Sequence, residues 1–245
     1  MTAVKVQAGR GPGWLVDGWR LFLRAPWPWL GMFLVYFVID LLLSVVPLLG
    51  LMASALLTPV LIGGMVYGAA QLDGGGRLEF SHLFRGFQDQ DKTGPLLLLG
   101  LIFVAITAAG WLLIGLTFAG GMAAMPMHGA GHGEMPMMPP VGPLTPLVAL
   151  LVGLATFMAM FYAIPLVMLG GMAPVRAVRE SFAAALTNIL PLLLFCLIEL
   201  VLVFVAMMPF GLGLLVVGPV TVAAVYASYR EVFPAQPPPL PAAPF

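Results

Sequence analysis

The chain has 245 residues, 61% of them apolar and only 8% charged, with ten basic residues balancing ten acidic ones. Soluble domains carry roughly 25% charge, so this composition cannot make a water-facing surface and calls for a bilayer instead. Zero net charge speaks against a nucleic-acid surface, and a single cysteine, Cys196, excludes an internal disulfide.

The first apolar run covers residues 29–50. Ala53-Ser54-Ala55 after it imitates a signal-peptide cleavage site. The run is longer than the usual roughly 7–15 residues of a leader, and 28 residues precede it. It reads as a retained span. A transmembrane helix needs about 20 apolar residues at 1.5 Å each. On that measure the sequence predicts six spans, at 29–50, 52–72, 95–120, 144–171, 191–209 and 211–230. Pro47-Leu48-Leu49-Gly50 and Pro209-Phe210-Gly211 divide two runs that would otherwise be too long. The fold class expected is all-α: one polytopic domain over residues 1–232, followed by a proline-rich tail over 233–245 with no packed structure.

Six spans put both termini on one side. Lys5, Arg10, Arg20 and Arg24 precede span one. Arg77, Arg85 and Lys92 lie between spans two and three, Arg176 and Arg179 between four and five, and Arg230 ends span six. All ten basic residues thus share a side, which the positive-inside rule makes cytoplasmic. The long loop 121–143 is then periplasmic.

Each basic stretch contains an amphipathic pattern. Asp17, Arg20 and Arg24 share one side of the first lead-in, with Trp19 and Phe22 turned elsewhere. Phe80, Leu83, Phe84 and Phe87 follow helical spacing. Val175, Val178 and Phe182 share a face opposite Arg176, Arg179 and Glu180. Such segments are expected to lie at the headgroup boundary, with arginines on lipid phosphates.

The two ends of the chain resemble each other. Asp17-Gly18-Trp19 matches Glu180-Ser181-Phe182, and Pro28, Pro47 and Pro59 match Pro191, Pro209 and Pro219. Gly64-Met-Val-Tyr67-Gly68 matches Ala223-Ala-Val-Tyr226-Ala227. The expectation is a parallel repeat of a lead-in and a helical hairpin, with halves at about 12–72 and 175–230. Gly64, Gly68, Ala223 and Ala227 form small-xxx-small pairs, which let helix backbones approach closely in lipid. Spans two and six are expected to pack through them.

Asp40 in span one and Glu199 in span five are the acids inside the apolar runs, and no lysine or arginine lies in a span to pair with them. An intramembrane carboxyl is costly and is a functional candidate by default. Tyr36 lies one turn before Asp40 and aligns with Glu199 in the repeat. Together they suggest a proton or cation site between spans one and five. The bland alternative is a neutral acid bonded to Ser44, Tyr36 or nearby backbone.

The loop between spans three and four contains Met125-Pro-Met127-His128 and His132…Met135-Pro-Met137-Met138 around a Gly-Ala-Gly turn. Thioether sulfur is a soft neutral ligand suited to Cu(I), and imidazole accepts either copper state. Cu(I) binding by Met125, Met127, His128, His132, Met135, Met137 and Met138 is therefore one expectation. An adaptable apolar loop is the other.

No phosphate loop, serine elbow, HExxH or CxxC motif occurs, and no nucleophile is set beside a base, so an enzyme is not expected. The string Pro47-Leu-Leu-Gly…Ser54-Ala-Leu-Leu-Thr-Pro59-Val, the following Gly-Gly-Met-Val-Tyr-Gly, and Leu72-Asp-Gly-Gly-Gly-Arg-Leu-Glu-Phe-Ser-His-Leu-Phe-Arg-Gly-Phe87 resemble an uncharacterised family of six-span bacterial inner-membrane proteins. The resemblance covers most of 12–232 and implies the bacterial plasma membrane, but no catalytic residue. Two function classes remain: an assembly or accessory protein that meets lipid and other membrane proteins, placed first, and soft-metal binding or transport through the outer loop.

Overall fold

The computed structural model describes residues 3–123 and 144–234, with side chains described as far as residue 120 and again from 144. Its regular structure is helical throughout these residues. Helix α1 (Arg10–Arg24) leads into a hairpin of α2 (Pro26–Ser44) and α3 (Leu49–Asp73). A 3-10 turn (Phe80–Phe84) and the short α4 (Arg85–Gln88) lead into α5 (Gln90–Ala123) and α6 (Leu144–Met160). After α7 (Ala163–Met168), α8 (Pro174–Thr187) leads into α9 (Ile189–Met207) and α10 (Leu214–Val232).

Among the described residues, five helical stretches are long and apolar enough to cross a membrane: 26–44, 49–73, 90–120, 144–168 and 189–207. The expected sixth span corresponds to α10. Its last turns carry Tyr226, Ser228, Tyr229, Arg230 and Glu231, so its apolar part is diluted. Proline lies in the first turn of α2, at Pro26 and Pro28, and of α9, at Pro191, whereas Pro95 stands inside α5. In the first turn a missing N–H breaks no ladder bond.

The hairpin turns fall where the prolines predict them. Leu48 after Pro47 has φ 62°, and Phe210 after Pro209 has φ 55°, followed by Gly211 at 80°. A left-handed conformation is uncommon for bulky residues. Both turns adopt it immediately after proline, and both leave the bulky side chain exposed.

The expected fourth span, 144–171, is broken at Phe161-Tyr162. Pro165 has no N–H for the carbonyl of Phe161, and its ring crowds the preceding turn. Ser181 of α8 completes the break. Its hydroxyl donates to Met158 O at 2.8 Å and accepts the Tyr162 N–H at 2.9 Å. A side-chain hydroxyl thus occupies a rung of the helix ladder.

Each lead-in packs on a different hairpin. Helix α1 lies on α9 and α10, the 80–88 segment on α2 and α3, and α8 on α5, α6 and α7. Small residues make these junctions. A Cβ on Gly18 would stand 2.7 Å from Val220 O, and one on Gly86 would stand 2.7 Å from Val60 O. Ser181 meets Met158 O at the third junction. A Cβ on Gly11 would collide with Pro191 O.

Gly64 and Gly68 also admit a lead-in rather than α10. A Cβ on Gly64 would meet the carbonyls of His82 and Leu83, and one on Gly68 would meet the Leu78 side chain at 2.6 Å. Ala223 is buried beside Met65 and Ala69 of α3, while Ala227 borders Asp17, Arg20 and Arg24 of α1. The glycine pair therefore differs from its expected role. It holds the 78–83 segment, whose main chain comes against Gly64 and whose Leu78 side chain comes against Gly68.

Two buried clusters fill the interior. One gathers Trp14, Leu96, Leu99, Tyr162, Leu166 and Phe195. The other gathers Trp29, Met32, Met65, Leu83 and Val220. In α8 the buried stripe is Ala177, Ser181, Ala184 and Ala185, whereas Val175 and Phe182 are exposed. The amino-terminal segment is fastened as well. Val4 N–H donates to Val232 O at 2.8 Å, Val6 N–H to Asn188 Oδ1 at 2.8 Å, and Asn188 Nδ2 to Val4 O at 3.0 Å.

Candidate functional site

Each acid in the apolar runs is met by a hydroxyl from the returning helix of its own hairpin. Ser54 of α3 donates to Asp40 of α2, and Thr221 of α10 donates to Glu199 of α9 at 2.5 Å. The pairing follows from hairpin geometry. Asp40 and Ser54 are each seven residues from Pro47, and Glu199 and Thr221 are each eleven from Phe210. At 1.5 Å per residue these are depths of roughly 10 Å and 16 Å below the turns. Asp40 and Glu199 therefore sit at different depths below their own turns. Ser44 bonds its own helix, at Leu41 O, and the Tyr36 hydroxyl interacts with Thr58 of α3. Helix α2 packs mainly on α3 and α10, and α9 mainly on α1 and α10. Asp40 and Tyr36 thus belong to one interface and Glu199 to another.

Glu199 lines a cleft of about 600 Å³ between α3, α5, α6, α7, α9 and α10. Ligand sites commonly measure about 300–1,000 Å³. The walls are apolar and include four phenylalanines, Phe103, Phe157, Phe161 and Phe195. Cys196 and Thr221 also reach it. Phe161 stands edge-on to Phe195, with ring centres 5.6 Å apart. The Oε2 atom of Glu199 is buried and has no hydrogen-bond partner.

The second polar feature is at the end of the molecule that holds α1 and the C-terminus of α10. Arg10 Nε donates to both carboxylate oxygens of Glu231 at 2.8 and 2.9 Å, and Trp14 Nε1 donates to Glu231 Oε2 at 2.8 Å. Arg10 also reaches Asp17 at 3.1 Å. Arg230 pairs with Asp73 at the end of α3, and the Tyr226 hydroxyl donates to the same carboxylate at 3.0 Å. Burial pushes the Glu231 carboxyl up, but the hydrogen bonds from Arg10 and Trp14 and the nearby guanidinium charges outweigh it. The net pKa lies below the ordinary carboxylate value. This network ties α1, α3 and α10 together and leaves Arg20 and Arg24 beside a small hollow of about 140 Å³.

From the sequence, none of Ser54, Thr221, Ser181 and Asn188 was expected to make these bonds. Equal distance from a hairpin turn would have found the first two. The alignment of Gly18 with Ser181 would have marked the third as a junction. The expected copper ligands, Met125 to Met138, lie outside the described residues. No protein family matches the chain, and no curated protein or solved structure matches it significantly.

Proposed function

We propose that the chain is a six-span bacterial inner-membrane protein with both termini cytoplasmic, acting as a non-enzymatic assembly or accessory subunit. In this reading α10 is the sixth span. The fold is three lead-in and hairpin units, 10–73, 80–160 and 174–232, rather than two. Each lead-in seats on the preceding hairpin, and α1 closes the ring on the last. The charged end faces the cytoplasm.

One observation carries the assembly role. About 44% of the apolar window of α3 is buried inside the chain, against 11–22% for the other four candidate spans. The broad apolar faces left over suit lipid and other membrane-embedded chains.

The test is to extract the tagged chain from native membranes in a lipid-retaining polymer and measure the particle mass. A discrete species with a partner at fixed stoichiometry is expected. A 25.9 kDa chain alone in its lipid patch would overturn the assembly role.

A further inference from the structure

We propose that the cleft at Glu199 binds a protonated hydrophobic amine, and that the amine exchanges with a proton on Glu199. The site goes beyond the assembly role and does not depend on it. The inference begins with a count of protons. The Thr221 hydroxyl has one hydrogen, yet its oxygen lies 2.8 Å from Val217 O and 2.5 Å from Glu199 Oε1. When Glu199 carries a proton, it can donate to Thr221, which then donates to Val217 O, so that each contact has its own hydrogen. When Glu199 is a carboxylate, the Thr221 hydrogen turns to Glu199 instead. The hydroxyl pair accommodates either state.

In both states Oε2 remains buried without a donor. An unsatisfied buried acceptor is unfavourable, more so when charged, and water bridges such an atom only where other polar groups help. Here the walls offer few. An ammonium N–H supplies both the missing donor and the countercharge. The four phenylalanines favour the same occupant, because aromatic faces attract cations and receive apolar substituents.

No competing charge is available in the cleft. Among its lining residues Cys196 is the other titratable side chain, and those from α3, α5, α6, α7 and α10 carry no charge. Binding is balanced as an exchange. The ammonium enters, Glu199 releases one proton to water, and the cleft stays neutral.

Dibenzylamine, protonated at neutral pH, is a suitable probe, and dibenzyl ether is its uncharged isostere. Both are titrated calorimetrically into the full chain in lipid nanodiscs, in two buffers of different ionisation enthalpy. We expect one amine bound per chain with one proton released. Affinity should rise with pH by up to about tenfold per unit and fall as the medium is acidified, the limit for one competing proton. Glu199→Gln should weaken the amine at least tenfold and leave the ether unchanged, while Asp40→Asn should bind like the wild type. Equal amine binding by a folded Glu199→Gln protein overturns the proposal. Amine binding without proton release in the wild type also overturns it, and that measurement needs no variant to fold.

Discussion

At the residue scale, hydroxyl groups carry much of the specificity. Ser181 is fully buried and bridges two helices by standing inside the ladder of one of them. Removing it leaves a buried N–H and a buried carbonyl, and an unmade buried bond costs about 1–3 kcal/mol. Ser181→Ala should therefore lower unfolding stability in detergent by about that amount, and an unchanged denaturation midpoint would show that Tyr162 and Met158 re-pair without help. Thr187 gives the contrast, since its exposed hydroxyl bonds only its own helix, at Ala183 O. The acids were legible in the sequence as costly residues, but their partners were not. Local spacing points to neighbours one turn away, such as Tyr36 and Ser44. The actual partners come from the returning helix, at a register that the turn fixes.

At the element scale, small residues decide what can approach. Gly18 and Gly86 each sit against the carbonyl of a hairpin helix, whereas Gly115 and Gly153 face open space. Gly18→Leu and Gly86→Leu should displace a lead-in and cost about 1–3 kcal/mol or more, as overpacking does. Gly115→Leu and Gly153→Leu should purify as folded, monodisperse protein. Equal behaviour of the two pairs on size exclusion and thermal unfolding would contradict the junctions. The helices themselves were legible from hydropathy, apart from the break at Pro165 and the first span, expected to reach residue 50 where α2 ends at Ser44 and α3 begins at Leu49. Which face each lead-in buries was not. Amphipathic reasoning assigned Val175, Val178 and Phe182 a common apolar face in α8, yet the buried stripe is Ala177, Ser181, Ala184 and Ala185. Large apolar side chains are stable against lipid, so hydrophobicity alone no longer identifies the core. Close packing of small residues takes its place. The same reason explains Gly64 and Gly68. Their spacing signals a close approach without naming what approaches.

At the scale of the whole molecule, the charged residues gather where α1, the end of α3 and the end of α10 meet. Arg10, Asp17, Asp73, Arg230 and Glu231 form linked pairs there. Chain ends more than two hundred residues apart are thus fastened together, by the Val4 to Val232 bond as well as by charge. Arg10 and Arg230 were legible in the sequence as basic residues flanking the first and last apolar runs, but their acidic partners were not. The packing of α1 on α9 and α10 was not legible, because it depends on contacts between the first and last elements. Six crossings with the charged end inside is the claim on which the proposed architecture rests, and single-cysteine labelling tests it most directly. In a Cys196→Ser background, Asp91→Cys, Gly131→Cys and Ala242→Cys are exposed in turn to a membrane-impermeant maleimide, in intact spheroplasts and after permeabilisation. Only Gly131→Cys should label in intact spheroplasts, with the other two labelling after permeabilisation. Labelling of Ala242→Cys from outside would mean that α10 does not cross, and labelling of Asp91→Cys from outside would invert the molecule.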